Sequence, residues 1–147
     1  MQSGYLAIET HQDRPGVVRL ALSPEAPDPA PDTAMQTDRR LRYIARFNDC
    51  DAALMHTHEI LKRRLIDPDA HLYRVSAEWA IAAIESIDLK CRRIYLDGEF
   101  SNESKEAIAS QAERLRSRRR AWAVFFQTLG YIGVGILLFN LFFLSLA

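Results

Sequence analysis

Alternating apolar and polar residues in the first third of the chain predict three β-strands. The runs Tyr5 to Thr10 and Val17 to Leu22 are rich in β-branched and aromatic residues, and a segment containing Pro15-Gly16 separates them. Because a Pro-Gly pair between two such runs marks a turn, we expect a β-hairpin. Apolar residues recur at every second position from Arg40 to Phe47, and this period predicts a third strand with one apolar face.

A period of three to four residues follows the third strand and predicts the first helix. Asn48 to Asp51 supply N-cap candidates and first-turn acids, and apolar residues continue at helical spacing to Leu65. We expect this helix to end near Asp67-Pro68, because proline cannot continue a helix. The segment His71 to Val75 then predicts a short fourth strand.

Ser76 is a candidate N-cap for a second helix that we expect to end at Asp97-Gly98. Its apolar positions follow the helical period and are Ala80, Ile81, Ile84, Ile87, Cys91 and Ile94. Together these elements predict an α+β fold within residues 1–98, with a small sheet of three to four strands and flanking helices.

Residues Ser23 to Thr37 interrupt the pattern with four prolines, Pro24, Pro27, Pro29 and Pro31. This composition favours extended, polyproline-like conformations and does not support a helix. We therefore expect an exposed loop or spacer here.

The last 26 residues, Trp122 to Ala147, contain no charged side chain. About 20 apolar residues in a helix cross the hydrocarbon layer of a bilayer, so residues 121–147 are predicted to form a single transmembrane anchor. Asn102 is a candidate N-cap for a helix that continues through a basic juxtamembrane part, residues 99–120, into this anchor. We expect one tryptophan and five arginines to lie at the membrane interface: Arg114, Arg116, Arg118, Arg119, Arg120 and Trp122.

The charges that flank the apolar run predict its orientation. Basic residues stay preferentially on the cytoplasmic side, and all five arginines lie on the N-terminal flank. Met1 to Tyr5 lacks the basic and apolar regions of a cleavable signal peptide. We therefore expect a single-pass, tail-anchored protein with its N-terminal domain in the cytoplasm, at a bacterial inner membrane. In that reducing compartment Cys50 and Cys91 should be buried free thiols and not a disulfide.

Small residues and one amide within the anchor predict contact with other membrane helices. Gly130, Gly133 and Gly135 permit close approach of backbones, and Asn140 can form an interhelical hydrogen bond. The alternative is that glycines are common in membrane helices and that a single asparagine is tolerated there.

Net charge and side-chain spacing argue against several classes of function. Lys plus Arg and Asp plus Glu number 19 each, so no domain-wide basic field favours nucleic acid as a partner. His56 and His58 point away from each other on a helix, and no spacing supports a zinc site formed by Cys50, His58 and Cys91. The sequence lacks a Gly-rich phosphate loop, a paired-carboxylate motif and a Ser/His/Asp arrangement. We therefore predict no cofactor, no metal site and no enzymatic activity.

Four short segments carry a family resemblance. They are Gly4-Tyr5-Leu6-Ala7-Ile8, Arg14-Pro15-Gly16-Val17-Val18-Arg19-Leu20, Asp51-Ala52-Ala53-Leu54 with His58, and Leu72-Tyr73-Arg74-Val75. With the order strand, turn, strand, strand, helix, short strand, helix, the region from roughly Gly4 to Ile87 resembles the GIY-YIG nuclease family, in particular its small phage-type branch.

Enzymes of that family use tyrosines of the hairpin, an arginine on a helix and a metal-binding glutamate. The resemblance places Ala7 at the tyrosine position of the first strand, Ala21 at a glycine position and Leu54 near the glutamate position. The proline-rich segment takes the place of the arginine-bearing helix, and His58 alone matches the polar set. One histidine cannot hold Mg²⁺, so the resemblance implies the fold without the nuclease chemistry.

These observations predict a noncatalytic, tail-anchored accessory or scaffold protein of a larger membrane complex. Its expected partners are membrane lipids and other membrane protein subunits. The alternative, motivated by the resemblance and the arginines, is a membrane-tethered GIY-YIG-type nuclease or nucleic-acid-binding module. A structural tether with a self-associating span is a third possibility.

Overall fold

The computed structural model describes residues 3–28 and 38–146, with side chains as far as residue 144. Contacts divide the chain into two compact units, Met1–Glu113 and Arg114–Ala147. We call the first unit the headpiece and the second the span segment.

The headpiece contains an antiparallel sheet in the order β4-β5-β2-β1-β3-β6. Its strands are β1 Gly4–His11, β2 Val17–Ser23, β3 Arg39–Phe47, β4 Leu65–Asp67, β5 Leu72–Arg74 and β6 Cys91–Leu96. An α+β fold is therefore confirmed. The described residues form six strands, however, and the expected count of three to four is wrong.

The hairpin at the start of the chain is confirmed. Strands β1 and β2 pair from Tyr5 opposite Ser23 to Thr10 opposite Val18. Gly16 has a φ of 77°, a conformation that glycine adopts without steric cost, which explains why the turn contains Pro-Gly. The proline-rich prediction falls mostly on residues 29–37, which lie outside the described residues, and Ser23 itself ends β2.

Two of the three α-helices have the N-caps that the sequence predicts. The side chain of Asp49 accepts a hydrogen bond from the amide of Ala52 at 3.0 Å and begins α1, Cys50–Leu61. Ser76 accepts from the amide of Trp79 and begins α2, Ala77–Glu85. The third helix, α3, is Asn102–Leu146, and its first three turns belong to the headpiece. Its N-cap is Ser101 and not the expected Asn102, because the Ser101 hydroxyl accepts a hydrogen bond from the amide of Ser104 at 3.1 Å.

Both headpiece helices end earlier than predicted. After Leu61 the chain forms a single 3₁₀ turn, Lys62–Arg64, and then β4, which pairs with β5. After Glu85 the chain leaves the helix, and residues Cys91 to Leu96 form β6 beside β3. The predicted helical positions Cys91 and Ile94 are therefore strand positions, because pairing with a distant strand outweighs the local helical period.

One face of the sheet packs against the helices and forms the core. Side chains on the same face of neighbouring strands meet the helices in one buried cluster. The sheet contributes Leu6, Ile8, Val18, Leu20, Tyr43, Ala45, Phe47 and Tyr73, and the helices contribute mainly Ala53, Leu61, Ala80, Ile81, Ile84, Ile108 and Ala112. The other face of the sheet does not join this cluster.

Candidate functional site

The span segment exposes an apolar surface over its whole described length after Arg120. Every described side chain from Ala121 to Leu144 is exposed, for example Leu137 at 71% and Leu144 at 78%. This helix is long and apolar enough to cross a membrane, and none of its apolar window is buried. A core helix of a soluble domain would bury one face, so the exposure favours lipid as its surroundings.

The five arginines that are predicted to lie at the membrane interface are spread around the helix. At about 100° per residue, Arg114 and Arg118 lie within about 40° of each other around the helix. Arg116 and Arg120 form a second such pair on roughly the opposite side, and Arg119 lies between the two pairs. Arg114, Arg118, Arg119 and Arg120 are exposed and Arg116 is half-buried. A ring of cations suits a surrounding layer of headgroups better than a ligand that contacts one face.

Trp122 lies at the start of the apolar run and is 52% exposed. Its ring stacks on Phe126 and meets Phe125 edge to face. This aromatic group directly follows the arginines, an arrangement typical of side chains at the headgroup level of a bilayer. Its role at the interface stays a prediction.

The polar residues of the span segment differ in whether the helix itself satisfies them. Thr128 donates a hydrogen bond to the carbonyl of Val124 at 2.9 Å, and Gln127 donates to the Tyr131 hydroxyl at 3.2 Å. Among the described residues, Asn140 has no hydrogen-bond partner for its amide. The Asn140 amide is therefore available for a hydrogen bond to a neighbouring membrane helix.

The four predicted helix-contact residues do not share one face. Gly130, Gly133 and Asn140 lie within about 80° of one another around the helix, whereas Gly135 lies about 160° from Gly133. A Cβ added at any of these glycines would meet nothing within 4 Å, so the backbone is open to a neighbouring helix there. Contact with a neighbouring helix stays a prediction. The directions of the four residues restrict a contact through one face to Gly130, Gly133 and Asn140.

In the headpiece, the ion pairs of Asp97 connect β3 to the residues that follow β6. Arg40 donates to Asp97 at 2.8 and 3.1 Å, and Arg42 lies 2.9 Å from the same carboxylate and 4.6 Å over the Phe100 ring. Burial alone would raise the pKa of Asp97, but the amide of Glu99 and the guanidinium of Arg40 outweigh burial, so the pKa is lowered. The Glu99 carboxylate lies 2.6 Å from Arg40 and 3.3 Å from Arg42, so two carboxylates balance two guanidinium groups and the cluster stabilises the fold.

A second polar cluster joins β3, α2 and β6. The hydroxyl of Tyr43 donates to Glu85 at 3.2 Å, and Arg93 pairs with the same carboxylate. Desolvation of the buried hydroxyl, together with the charge of Glu85, raises the pKa of Tyr43. Tyr43 therefore stays protonated at neutral pH, and the cluster ties β6 to the helix side of the sheet.

His58 lies on α1 and contacts Tyr73 of β5. Its Nδ1 is 3.0 Å from the Tyr73 hydroxyl, and the two rings meet edge to face. Tyr73 is completely buried, so this hydrogen bond satisfies a hydroxyl that would otherwise lie unpaired in the core. This hydrogen bond gives His58 a structural role in the core.

The cysteines are separate and different. Cys50 is buried, and burial raises the pKa of its thiol to about 11, so it is poorly reactive. Cys91 is exposed on β6, which corrects the expectation that both thiols are buried.

The described residues offer little room for a ligand. A cavity of about 140 Å³ lies against Cys50, and this volume is smaller than that of typical ligand pockets. Within the described ranges, no group of three or more His, Cys, Asp or Glu side chains could hold a metal.

The positions compared with the GIY-YIG family fall on three elements, β1, β2 and α1. Ala7 and Ala21 are direct cross-strand partners on the sheet face that points away from the helices, and Leu54 is a half-buried residue of α1. These side chains offer no oxygen or nitrogen to a phosphodiester or a metal. All three side chains are buried or half-buried and contribute to packing.

The sheet face opposite the helices carries arginines on four of its strands. Strand register and alternation place Arg19, Arg39, Arg46, Arg74 and Arg92 on this face, together with Tyr5 and Tyr95. We call it the arginine face. Ala7 and Ile44 form its buried apolar floor, four of the arginines are exposed, and Arg19 pairs with Glu9 at 3.4 Å. Sequence reasoning missed it because Arg92 was assigned to a helix, although Arg46 already stood on the polar side of its strand.

No family model matches this sequence, no curated protein matches it, and no solved structure matches its fold.

Proposed function

We propose that this chain is a single-pass, tail-anchored accessory protein whose headpiece lies on the cytoplasmic side of a membrane and binds a larger membrane complex. The uncharged helix after Arg120, whose described side chains are all exposed, is the observation that carries the proposal. Large apolar side chains exposed around a whole helix cost free energy in water and gain it in lipid. The arginine ring before the helix opposes translocation of the headpiece.

The clusters of ionisable groups in the headpiece support a binding role and not a catalytic one. Asp97 is held by two arginines, Glu85 by Tyr43 and Arg93, and His58 by Tyr73. Each group is occupied by a contact that joins two elements of the fold. A headpiece built in this way presents a surface to a partner.

Membrane anchoring is tested by extraction and protease protection. Full-length protein expressed in bacteria should stay with membranes after alkaline carbonate treatment, and the headpiece should resist protease added outside spheroplasts. A truncation after Arg120 serves as the matched control and should be released. Release of the full chain by carbonate, or digestion of the headpiece in intact spheroplasts, would contradict the proposal.

Association with a complex is tested by copurification. Protein solubilised from native membranes in mild detergent should elute with other membrane subunits that mass spectrometry identifies. The same preparation incubated with labelled DNA and RNA and Mg²⁺ or Mn²⁺ tests the nuclease alternative, for which cleavage is the supporting result. A monomer that elutes alone would argue against an accessory subunit.

A further inference from the structure

The arginine face contains a pair of like charges that the fold does not compensate. Arg46 of β3 and Arg92 of β6 are direct cross-strand partners, with Cβ atoms expected about 5 Å apart. Both are exposed, and neither forms an ion pair with any residue in the described part of the chain. Like charges in this arrangement destabilise a sheet, so the pair is not explained by stability.

Tyr5 extends this pair into a row across three strands. Tyr5 of β1 is the cross-strand partner of Arg46, so Tyr5, Arg46 and Arg92 follow one another on the same face. Two guanidinium groups can donate several hydrogen bonds to the oxygens of one phosphate, and a tyrosine hydroxyl can donate another. An anion bound from outside would remove the repulsion between the arginines.

The rest of the face carries more basic than acidic side chains. Arg39 and Arg74 are also exposed. Register places two acids on this face: Glu9 is paired with Arg19, and Asp67 of β4 accepts hydrogen bonds from the amides of Asp69 and Ala70. The helices pack on the opposite side of the sheet, so their side chains do not neutralise these arginines. The positive charge of the arginine face therefore complements an extended anionic surface as well as a single phosphate.

We propose that the row Tyr5-Arg46-Arg92 binds the phosphate of an anionic lipid headgroup in the membrane that holds the span segment. This inference rests on the proposed membrane anchoring, because a span on the same chain keeps the headpiece at a high effective concentration of lipid. Each basic side chain near an anionic surface strengthens binding about fivefold. The partly buried Tyr5 and Tyr95 suit the headgroup level, where tyrosine is enriched.

Docking can be measured on the full chain in nanodiscs. An environment-sensitive dye is attached to the exposed Cys91, while Cys50 is protected by burial. Nanodiscs contain either phosphatidylcholine alone or an equal mixture of phosphatidylcholine and phosphatidylglycerol, each with a headgroup-labelled quencher lipid. The dye should be quenched more strongly in the anionic nanodiscs, and added salt should reduce the difference.

The decisive variant is R46Q/R92Q, with R63Q/K105Q as the matched control. Arg63 and Lys105 are exposed and lie outside the arginine face, so both variants lose the same net charge. The ratio of docked to undocked headpiece should fall about thirtyfold in R46Q/R92Q and stay unchanged in the control. R46Q/R92Q should also unfold at an equal or higher temperature, because a like-charge pair is removed.

Several results would overturn the inference. Quenching that is equal in neutral and anionic nanodiscs, or an equal loss of docking in both variants, excludes specific headgroup binding by this row. Binding of labelled single-stranded DNA or RNA in neutral nanodiscs that R46Q/R92Q abolishes, without any effect of phosphatidylglycerol, assigns the row to nucleic acid. Failure of the chain to incorporate into either kind of nanodisc contradicts the anchoring proposal itself.

Discussion

The headpiece and the span segment use the same apolar residue types in opposite ways. In the headpiece Leu6, Ile8 and Phe47 are fully buried, whereas in the span segment Leu137 and Phe142 are 71% and 66% exposed. The headpiece hides its apolar side chains by joining strands and helices that are distant in sequence. The span segment has no such layer and exposes them all around.

Two different surroundings, water around the headpiece and lipid around the span segment, would produce this difference. Burying apolar surface inside a protein and placing it in lipid both remove it from water, and each satisfies the hydrophobic effect. A packed core also constrains the shape of each side chain, whereas lipid constrains hydropathy and length. Substitutions that change shape should therefore matter in the headpiece, and substitutions that change polarity should matter in the span segment.

Truncating one leucine in each region should give the largest contrast. Leu61→Ala removes a fully buried side chain and should lower the free energy of unfolding of the headpiece by about 2–5 kcal/mol. Leu137→Ala should leave that free energy unchanged. Urea denaturation of the detergent-solubilised chain, followed by near-ultraviolet circular dichroism, measures both. Equal losses in the two variants would contradict the contrast.

A charged residue in the apolar run should impair membrane insertion and leave the stability of the headpiece unchanged. Leu137→Lys should disfavour membrane insertion by about 3 kcal/mol, because a lysine near the centre of a span is costly in lipid. Leu137→Ala is the control for size. Carbonate extraction should release part of the lysine variant and none of the alanine variant, while headpiece unfolding is unaffected. Retention of both variants would argue against a spanning helix.

The Asp97 ion pairs should give the headpiece a pH dependence that the span segment lacks. The pKa of Asp97 is lowered in the fold, so its stabilising effect is fully present above the unfolded pKa, about 4, and disappears as pH falls through the lower folded value. Asp97→Asn should cost about 1–2 kcal/mol near neutral pH, a modest loss because Arg40 is partly in solvent. The variant should lose less stability than wild type on acidification. Urea titrations at several acidic pH values test this, and an unchanged acid slope would contradict it.

Helix association in the span segment should show the smallest effect. Asn140→Leu and Gly133→Leu should each weaken contact with a partner helix by about 0.5–2 kcal/mol if the face of Gly130, Gly133 and Asn140 is used. Gly135→Leu lies on another side of the helix and serves as the control. Crosslinking in native membranes measures association. A greater loss with Gly135→Leu would place the contact on the other side.

Features that depend on a few neighbouring residues were predictable from the sequence. The Pro15-Gly16 turn, the Asp49 and Ser76 caps and the apolar run after Arg120 all lie where the local pattern places them. The turn and the caps depend on backbone conformation within a few residues, and the apolar run depends on hydropathy along one continuous segment. Cys91 and Ile94 show the limit, because they fit a helical period and nevertheless lie in β6.

The sequence by itself determined that the chain has an α+β domain and one helix suited to lipid, because hydropathy and length act locally. Only the tertiary structure decided that residues Cys91 to Leu96 pair with β3, about 50 residues earlier, and that α2 ends at Glu85. The same pairing brought Arg46 and Arg92 together. Strand partners are chosen by contacts across the whole fold, and no local period records them.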